Sequence, residues 1–187
     1  MTRRDSQASK RLLGFANSLL MPSTKALSST SRVRVETSAG CHRLVASRAC
    51  AAGDTILQID GVVQATPSRY SVQVGAEEHI ERPMEVTQDE EEQRYQWRFL
   101  NHSCEPNAML IDRELRALRP IRRGEEITFD YLTNEFDMAT PFHCGCGSEQ
   151  CVGEIRGFRH LGKTLRKRLA PRAAPHVIEL AKRNGLL

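Results

Sequence analysis

From residue 33 onward the chain is built of short runs in which apolar and polar positions partly alternate. Runs at 32–36, 43–47, 55–59 and 70–74 predict short β-strands, separated by the turn signals Gly53-Asp54, Gly61 and Pro67-Ser68. A second group at 108–111, 114–118 and 126–130 follows, the last opened by the turn Arg122-Arg123-Gly124. Between the groups, residues 85–96 are strongly acidic and predict a short helix or a surface loop. After Cys151 the period becomes helical over 158–169 and 175–183, with Pro171 dividing the two stretches. No internal repeat is present. The pattern predicts a β-rich α+β domain with a helical C-terminal tail.

Length and composition narrow this. The 187 residues, 40% hydrophobic and 27% charged, suit one domain with extensions. No apolar run approaches the ~20 residues of a membrane-spanning helix, so no membrane association is expected. The net charge of +4 hides a strong asymmetry. Residues 1–34 carry +6 and residues 158–187 carry +7, whereas 35–157 carry −9. An acidic body is suited to a basic partner. The basic C-terminal helices leave room for nucleic-acid binding, which is the less favoured reading. Residues 1–31 hold a single acid, Asp5, among Ser, Thr, Lys and Arg. They read as a disordered tail or an organellar transit peptide, which leaves nucleus, cytoplasm or an organelle open as the compartment.

The cysteines carry the first chemistry. Cys41, Cys50 and Cys104 are dispersed, whereas Cys144, Cys146 and Cys151 form a C-x-C-x4-C run with interleaved glycines. Thiolates ~2.3 Å from a tetrahedral Zn²⁺ need such a tight loop. Three ligands leave a fourth position for Cys104, His143 or His102. Cys41 and Cys50 read as small buried or half-exposed thiols. Two further segments stand out. One is Arg98-Phe99-Leu100-Asn101-His102-Ser103-Cys104-Glu105-Pro106-Asn107, whose Asn-His-Ser sequon conflicts with a reducing context. The other is Gly124-Glu125-Glu126-Ile127-Thr128-Phe129-Asp130-Tyr131, a turn feeding a strand.

In this order and spacing the three segments resemble a SET-domain protein-lysine methyltransferase with its post-SET zinc segment. The resemblance covers roughly residues 32–157. It implies small curled β-sheets around a pseudoknot that threads the Asn-His and Tyr segments together, an exception to the usual unthreaded chain. It divides the chain into an N-terminal extension (1–31), a SET domain (32–137), a post-SET zinc segment (138–157) and basic C-terminal helices (158–187).

The resemblance also implies roles. Asn101 and His102 would hold S-adenosylmethionine, with Arg98 and Phe99 contributing by backbone and packing. Cys104 would join Cys144, Cys146 and Cys151 as the fourth ligand of a structural zinc. Tyr131 would be the catalytic tyrosine beside the cofactor. Phe129 would sit where a Phe/Tyr choice governs how many methyls are added, and Phe there resembles members reaching the di- or trimethyl state. The expected substrate is a basic lysine-containing protein or peptide, histone or non-histone, and the expected protein is a monomer. The chemistry is demanding at one point. A lysine amine must lose its proton, which at pH 7 costs ~4.6 kcal/mol in water. An apolar channel beside a cationic sulfonium lowers that cost by desolvation and like-charge repulsion.

Two departures from the family pattern bear on this. Where the family has Gly-x-Gly-Leu-Phe-Ala at the cofactor's methionine end, this chain has Cys41-His42-Arg43-Leu44-Val45-Ala46. Arg43 and Leu44 of this stretch complete the expected cofactor-binding set. The loss of both glycines supports the alternative of a catalytically degenerate SET-fold zinc-binding interaction module. The stretch between residues 59 and 101 is also short, so one wall of the peptide groove is reduced and specificity is not inherited. His79, His160 and His176 have no assigned partner, and Tyr95, Trp97 and Phe158 read as core.

Overall fold

The computed structural model describes residues 31–38 and 40–187. The transit-peptide reading of the N-terminus therefore lies outside the described residues, apart from Ser31. The first hairpin pairs β1 (Val33–Ser38) with β2 (Cys41–Ala46) in antiparallel register, Val33 opposite Ala46. The far edge of β2 is closed by the segment before the Tyr strand: Ile127 N–H donates to Leu44 O and Ala46 N–H to Glu125 O. Paired on both edges and covered on both faces, Leu44, Val45 and Ala46 are all buried. Alternation is lost there for that reason.

β3 (Thr55–Gln58) belongs to a second sheet, and β4 (Val62–Gln64), β5 (Val72–Gln73) and β6 (His79–Glu81) form a third, in the order β4-β6-β5. The expected strand at 70–74 shrinks to two residues, and β4 and β6 were not predicted at all. Strands of two or three residues are too short to show a period. Gly61 allows the approach of β4 to β6: a Cβ there would lie 2.4 Å from Glu81 O.

The acidic stretch is a helix, α1 (Gln88–Arg94). A capping box decides it, with Thr87 Oγ1 accepting from Glu90 N–H and Glu90 Oε2 accepting from Thr87 N–H. Acids at 89, 90 and 91 in the first turn suit the helix dipole. A 3-10 turn (Gln96–Phe99) leads into β7 (Asn101–His102). β8 (Ala108–Ile111) and β9 (Glu114–Ala117) make a hairpin on β3, turned by Asp112 and Arg113, both at positive φ. β10 (Thr128–Phe129) runs parallel to β7, and β11 (Phe142–His143) pairs with β12 (Glu154–Ile155).

The tail holds α2 (Lys163–Leu169) and α3 (Pro175–Arg183). The stretch at 158–169 was expected to be one helix, but Gly162 ends a 3-10 turn (Phe158–His160) before α2 begins. These elements are not an appendage. Phe158, Leu169, Val177 and Ala181 are buried in one hydrophobic cluster with Cys104, Leu132 and Ile155. The tail thus closes the core beneath the zinc-type loop. Among the described residues no helix is long and apolar enough to cross a membrane.

A second close chain passage lies at Gly157. Its φ is 107°, and a Cβ there would stand 2.7 Å from Phe136 O. Phe158 N–H donates to Glu135 O at 2.8 Å across this passage. Gly157→Ala is expected to cost about 1–3 kcal/mol through backbone strain. Thermal unfolding should read this as a drop of several degrees (~2–4 °C per kcal/mol for a chain of this size).

Candidate active site and metal centre

The parallel pair β7–β10 sets Asn101 opposite Thr128 and His102 opposite Phe129. Around it the two segments are laced together. Ser103 N–H donates to Phe129 O, Tyr131 N–H to His102 Nδ1 at 3.2 Å, and Tyr131 Oη to Leu100 O at 2.5 Å. Asn107 secures the crossing from beneath. Its Oδ1 accepts from Thr128 N–H and its Nδ2 donates to Glu126 O at 2.7 Å. Asn107 is buried, with its amide engaged in these two bonds.

His102 has one hydrogen-bonding pattern. Nδ1 accepts from Tyr131, so Nε2 carries the proton and lies 3.3 Å from Cys104 Sγ. Burial pushes its pKa down to about 4, so the ring is neutral. Asp130 caps the turn of Tyr131–Thr133 through Leu132 N–H, and burial pushes its carboxyl up to about 6. Burial likewise holds the Tyr131 phenol well above its ordinary value. Tyr131 is therefore a hydroxyl, not a phenolate base, at neutral pH.

Two cavities meet at Tyr131. The larger is an open cleft of about 820 Å³, lined by Cys41, His42, Asn101, His102, Phe142 and His143 among others. The smaller, about 70 Å³, is narrow, and its wall includes Val72, Trp97, Phe129, Glu135 and Met138. Tyr131, Leu100, Tyr70 and Arg98 line both. Phe129 is buried, with its ring 4.7 Å from that of Tyr131. Phe142 stands edge-on to both His102 and Tyr131 at 6.0 Å. Phe142 escaped the sequence reading, and His143 entered it only as a candidate zinc ligand. The one available signal was their position directly before Cys144.

The expected cofactor residues divide. Asn101 faces the cleft, its Nδ2 donating to His42 O and Glu126 Oε1. Phe99 packs on the His42 ring at 5.2 Å and lines an adjoining hollow. Arg98 is nearly enclosed, paired with Glu91 and Glu81 and set over the Tyr70 ring. It braces the cleft wall. Arg43 and Leu44 do not line the cleft. Arg43 pairs with Glu36 on the neighbouring strand at 2.8 Å, and Leu44 is fully buried in the core. β2 contributes Cys41 and His42 instead. Alignment could give the strand but not the direction in which each side chain leaves it.

Cys104, Cys144, Cys146 and Cys151 bring their four sulfurs within 4.8 Å of one another, with Cys104 Sγ 4.0 Å from Cys144 Sγ. Four sulfurs at ~2.3 Å from one ion stand ~3.8 Å apart, so this set fits a tetrahedral zinc ion. His143 is not part of the set. Positive φ at Gly147 (71°) and Gly153 (80°) turns the loop around the cluster. The loop is held by Cys144 N–H to Gly153 O and Cys151 N–H to Ser148 O. Burial raises the Cys104 thiol far above its ordinary value and the Cys144 thiol to about 11. Four thiolates in this setting need a cation to coexist.

The comparisons with known proteins agree with this geometry. The SET-domain family profile matches residues 22–132. The chain is 32% identical to the methyltransferase flvH of Aspergillus flavus, over 69% of this chain and 68% of that one. It is 36% identical to the histone-lysine N-methyltransferase ash1 of Drosophila melanogaster, over 47% of this chain but 4% of that one. Among solved structures, KRYPTONITE in complex with mCHG DNA and SAH superposes with a TM-score of 0.50 at 24% identity. That match covers 65% of this chain and 28% of that one, and it is a likeness of fold. The laced β7–β10 crossing, the matched profile and the relative aligned over most of its length lead to one conclusion: the chain belongs to the SET-domain family.

Proposed function

We propose that this protein transfers methyl groups from S-adenosylmethionine to the ε-amine of lysine in a basic protein substrate. The observation that carries the reading is that Tyr131 lines both a wide cleft and a small cavity walled in part by Val72, Trp97 and Phe129. A reaction between a large polar cofactor and a long thin side chain needs such a junction. Bound S-adenosylmethionine supplies a methyl group already activated on a sulfonium.

The chain's own residues do the rest. Asn101, His102, Cys41 and His42 line the cleft that would receive the ligand. Phe129, Trp97, Val72 and Leu100 give the narrow cavity apolar walls, which strip water from an entering amine and lower its pKa. The Tyr131 hydroxyl, fixed by Leu100 O, orients the amine and contacts the reacting carbon through weak C–H···O interactions. Cys104, Cys144, Cys146 and Cys151 would hold zinc as a structural ion that pins the loop carrying Phe142 over the cleft. Of the two glycine replacements, Arg43 pairs with Glu36 and does not line the cleft, whereas Cys41 does. The placement of Arg43 favours a catalytic member over a degenerate one.

The substrate is a basic lysine-containing segment. Relatives named histone-lysine methyltransferases make a histone tail a reasonable candidate, and the −9 charge of residues 35–157 suits it. The reading is tested by calorimetry with S-adenosylmethionine on wild type and Asn101→Ala. One-to-one binding to wild type, weakened ~10-fold by loss of a charge-assisted polar contact, is expected. No heat of binding to wild type contradicts the reading and favours the interaction module.

A further inference from the structure

One ionisable group on the wall of the narrow cavity has no part in the chemistry above. Glu135 is 8% exposed and shares that wall with Phe129 and Tyr131. Its Oε1 accepts from Gln73 N–H at 2.9 Å and from Asn134 Nδ2 at 3.2 Å. Its Oε2 accepts no hydrogen bond from the described residues, yet it is not among the polar atoms sealed without a partner. Glu135 lines the cavity, and Oε2 is the carboxylate oxygen without a protein partner. No ion pair among the described residues involves Glu135.

The carboxylate is also rigidly held. Asn134 Nδ2 reaches Gln73 O at 2.8 Å, and Gln73 Oε1 accepts from Phe136 N–H at 2.8 Å. β5 and the turn after Tyr131 are thereby stitched together around it. A glutamine would satisfy Gln73 N–H without the cost of burying a charge that has no cation partner. A carboxylate kept at such a cost on the wall of a cavity, with one oxygen unpartnered, is a functional feature in want of a function.

We propose that Glu135 is the proton acceptor for the target amine, an inference that rests on the lysine-methyltransferase reading and deepens it. The lysine enters as an ammonium. One N–H bond breaks, one O–H bond forms on Oε2, and the ion pair becomes a neutral amine beside a carboxylic acid. In apolar surroundings the neutral pair is favoured, because desolvation penalises both charges. The proton then passes from Oε2 to water at the cavity mouth, which restores the carboxylate for the next turnover.

Burial pushes the Glu135 carboxyl up to about 7, which suits a group that must both take and release a proton near neutrality. The charged and titratable groups around it are few. Tyr131 lies on its own segment, Arg69 and Tyr70 reach the cavity from the loop before β5, and Arg98 comes from the 3-10 turn. His176 of α3 bonds Asn134 O at 2.8 Å, and His79 of β6 stands opposite Gln73. Both imidazoles have their pKa lowered, first by burial, so they do not supply a standing positive charge.

The test compares wild type with Glu135→Gln, which keeps the acceptor for Gln73 N–H. Both are given S-adenosylmethionine and a library of lysine-containing peptides. The expected result is a fall in kcat of ~10²-fold or more at pH 7 with KM little changed. The rise of wild-type kcat between about pH 6 and 8 should vanish in the variant, whose residual rate climbs only towards the pKa of free lysine. A readout independent of turnover is the carboxyl ¹³C resonance of glutamate-labelled protein. One signal titrating near 7 should be present in wild type and missing from the variant. The variant's unfolding temperature above neutral pH should equal or exceed that of wild type, because ionising a buried carboxyl of raised pKa lowers stability as pH rises. Glu135→Gln with wild-type kcat and pH profile overturns the proposal. Wild-type protein that methylates no peptide overturns the methyltransferase reading itself and this proposal with it.

Discussion

Tyr131→Phe is expected to lower methyl transfer by at least ~10²-fold while leaving cofactor affinity within a few-fold, the pattern of a group that acts in the transition state. The hydroxyl is the one polar atom that the Tyr131 side chain brings to the junction of cleft and cavity, and it is fixed at 2.5 Å from Leu100 O. Removing it leaves the ring stacked near Phe129 and His102, so the cavity keeps its shape. The amine loses the group that orients its lone pair. The variant also leaves Leu100 O without its partner, at a cost to stability of about 1 kcal/mol. Single-turnover rates and calorimetry separate these effects. Equal rates for variant and wild type would remove Tyr131 from the chemistry.

Metal removal is the second large effect. Apparent binding free energies for structural zinc reach ~10–16 kcal/mol in small zinc domains, and here that energy is coupled to packing. Cys104 lies two residues beyond His102 and is buried in the same cluster as Phe158, Leu169 and Val177. Chelation is therefore expected to loosen more than the cysteine loop. Hydrogen exchange should quicken in β11, β12, α2 and α3, while β1, β2, β8 and β9 keep their protection. The cleft should lose ligand as well, because Phe142 and His143 stand on that loop. Cys104→Ser should reproduce the effect and leave less than one equivalent of bound metal. A full equivalent of metal in Cys104→Ser would overturn the four-cysteine site.

The sequence made the site more legible than the scaffold around it. Asn101, His102, Tyr131 and the C-x-C-x4-C run stand out because only a few residue types suit the roles that the resemblance assigns to them. Cys104 was one of three choices for the fourth ligand, and only the fold brings its sulfur to the other three. The segment between 60 and 82 was illegible for a different reason. Its strands span two or three residues, and their pairing depends on Gly61 and on Gln73 bonding across 62 or 63 positions to Glu135 and Phe136. No local pattern records such contacts.

Arg43 and Leu44 do not line the cleft, and the reason is instructive. Their strand was identified, but β2 is paired on both edges, so neither period nor exposure follows simple alternation there. The tail shows the converse. Its helical period was plain, and α3 runs over the predicted residues, yet nothing in the charge count of +7 suggested that Val177 and Ala181 help to close the core. Lys163, Lys167, Arg168, Lys182 and Arg183 are exposed on those helices, and their apolar residues join the zinc-type loop to the segment of Tyr131.

The central claim is that the cleft and the narrow cavity serve one transfer reaction to lysine. Mass spectrometry of a lysine-containing peptide library, incubated with methyl-labelled S-adenosylmethionine and the full chain, tests it most directly. The account predicts labelled methyl groups on lysine Nζ, present with wild type and reduced at least ~10²-fold with Tyr131→Phe. Label absent from every lysine in the presence of bound cofactor, or equal with both proteins, would contradict it.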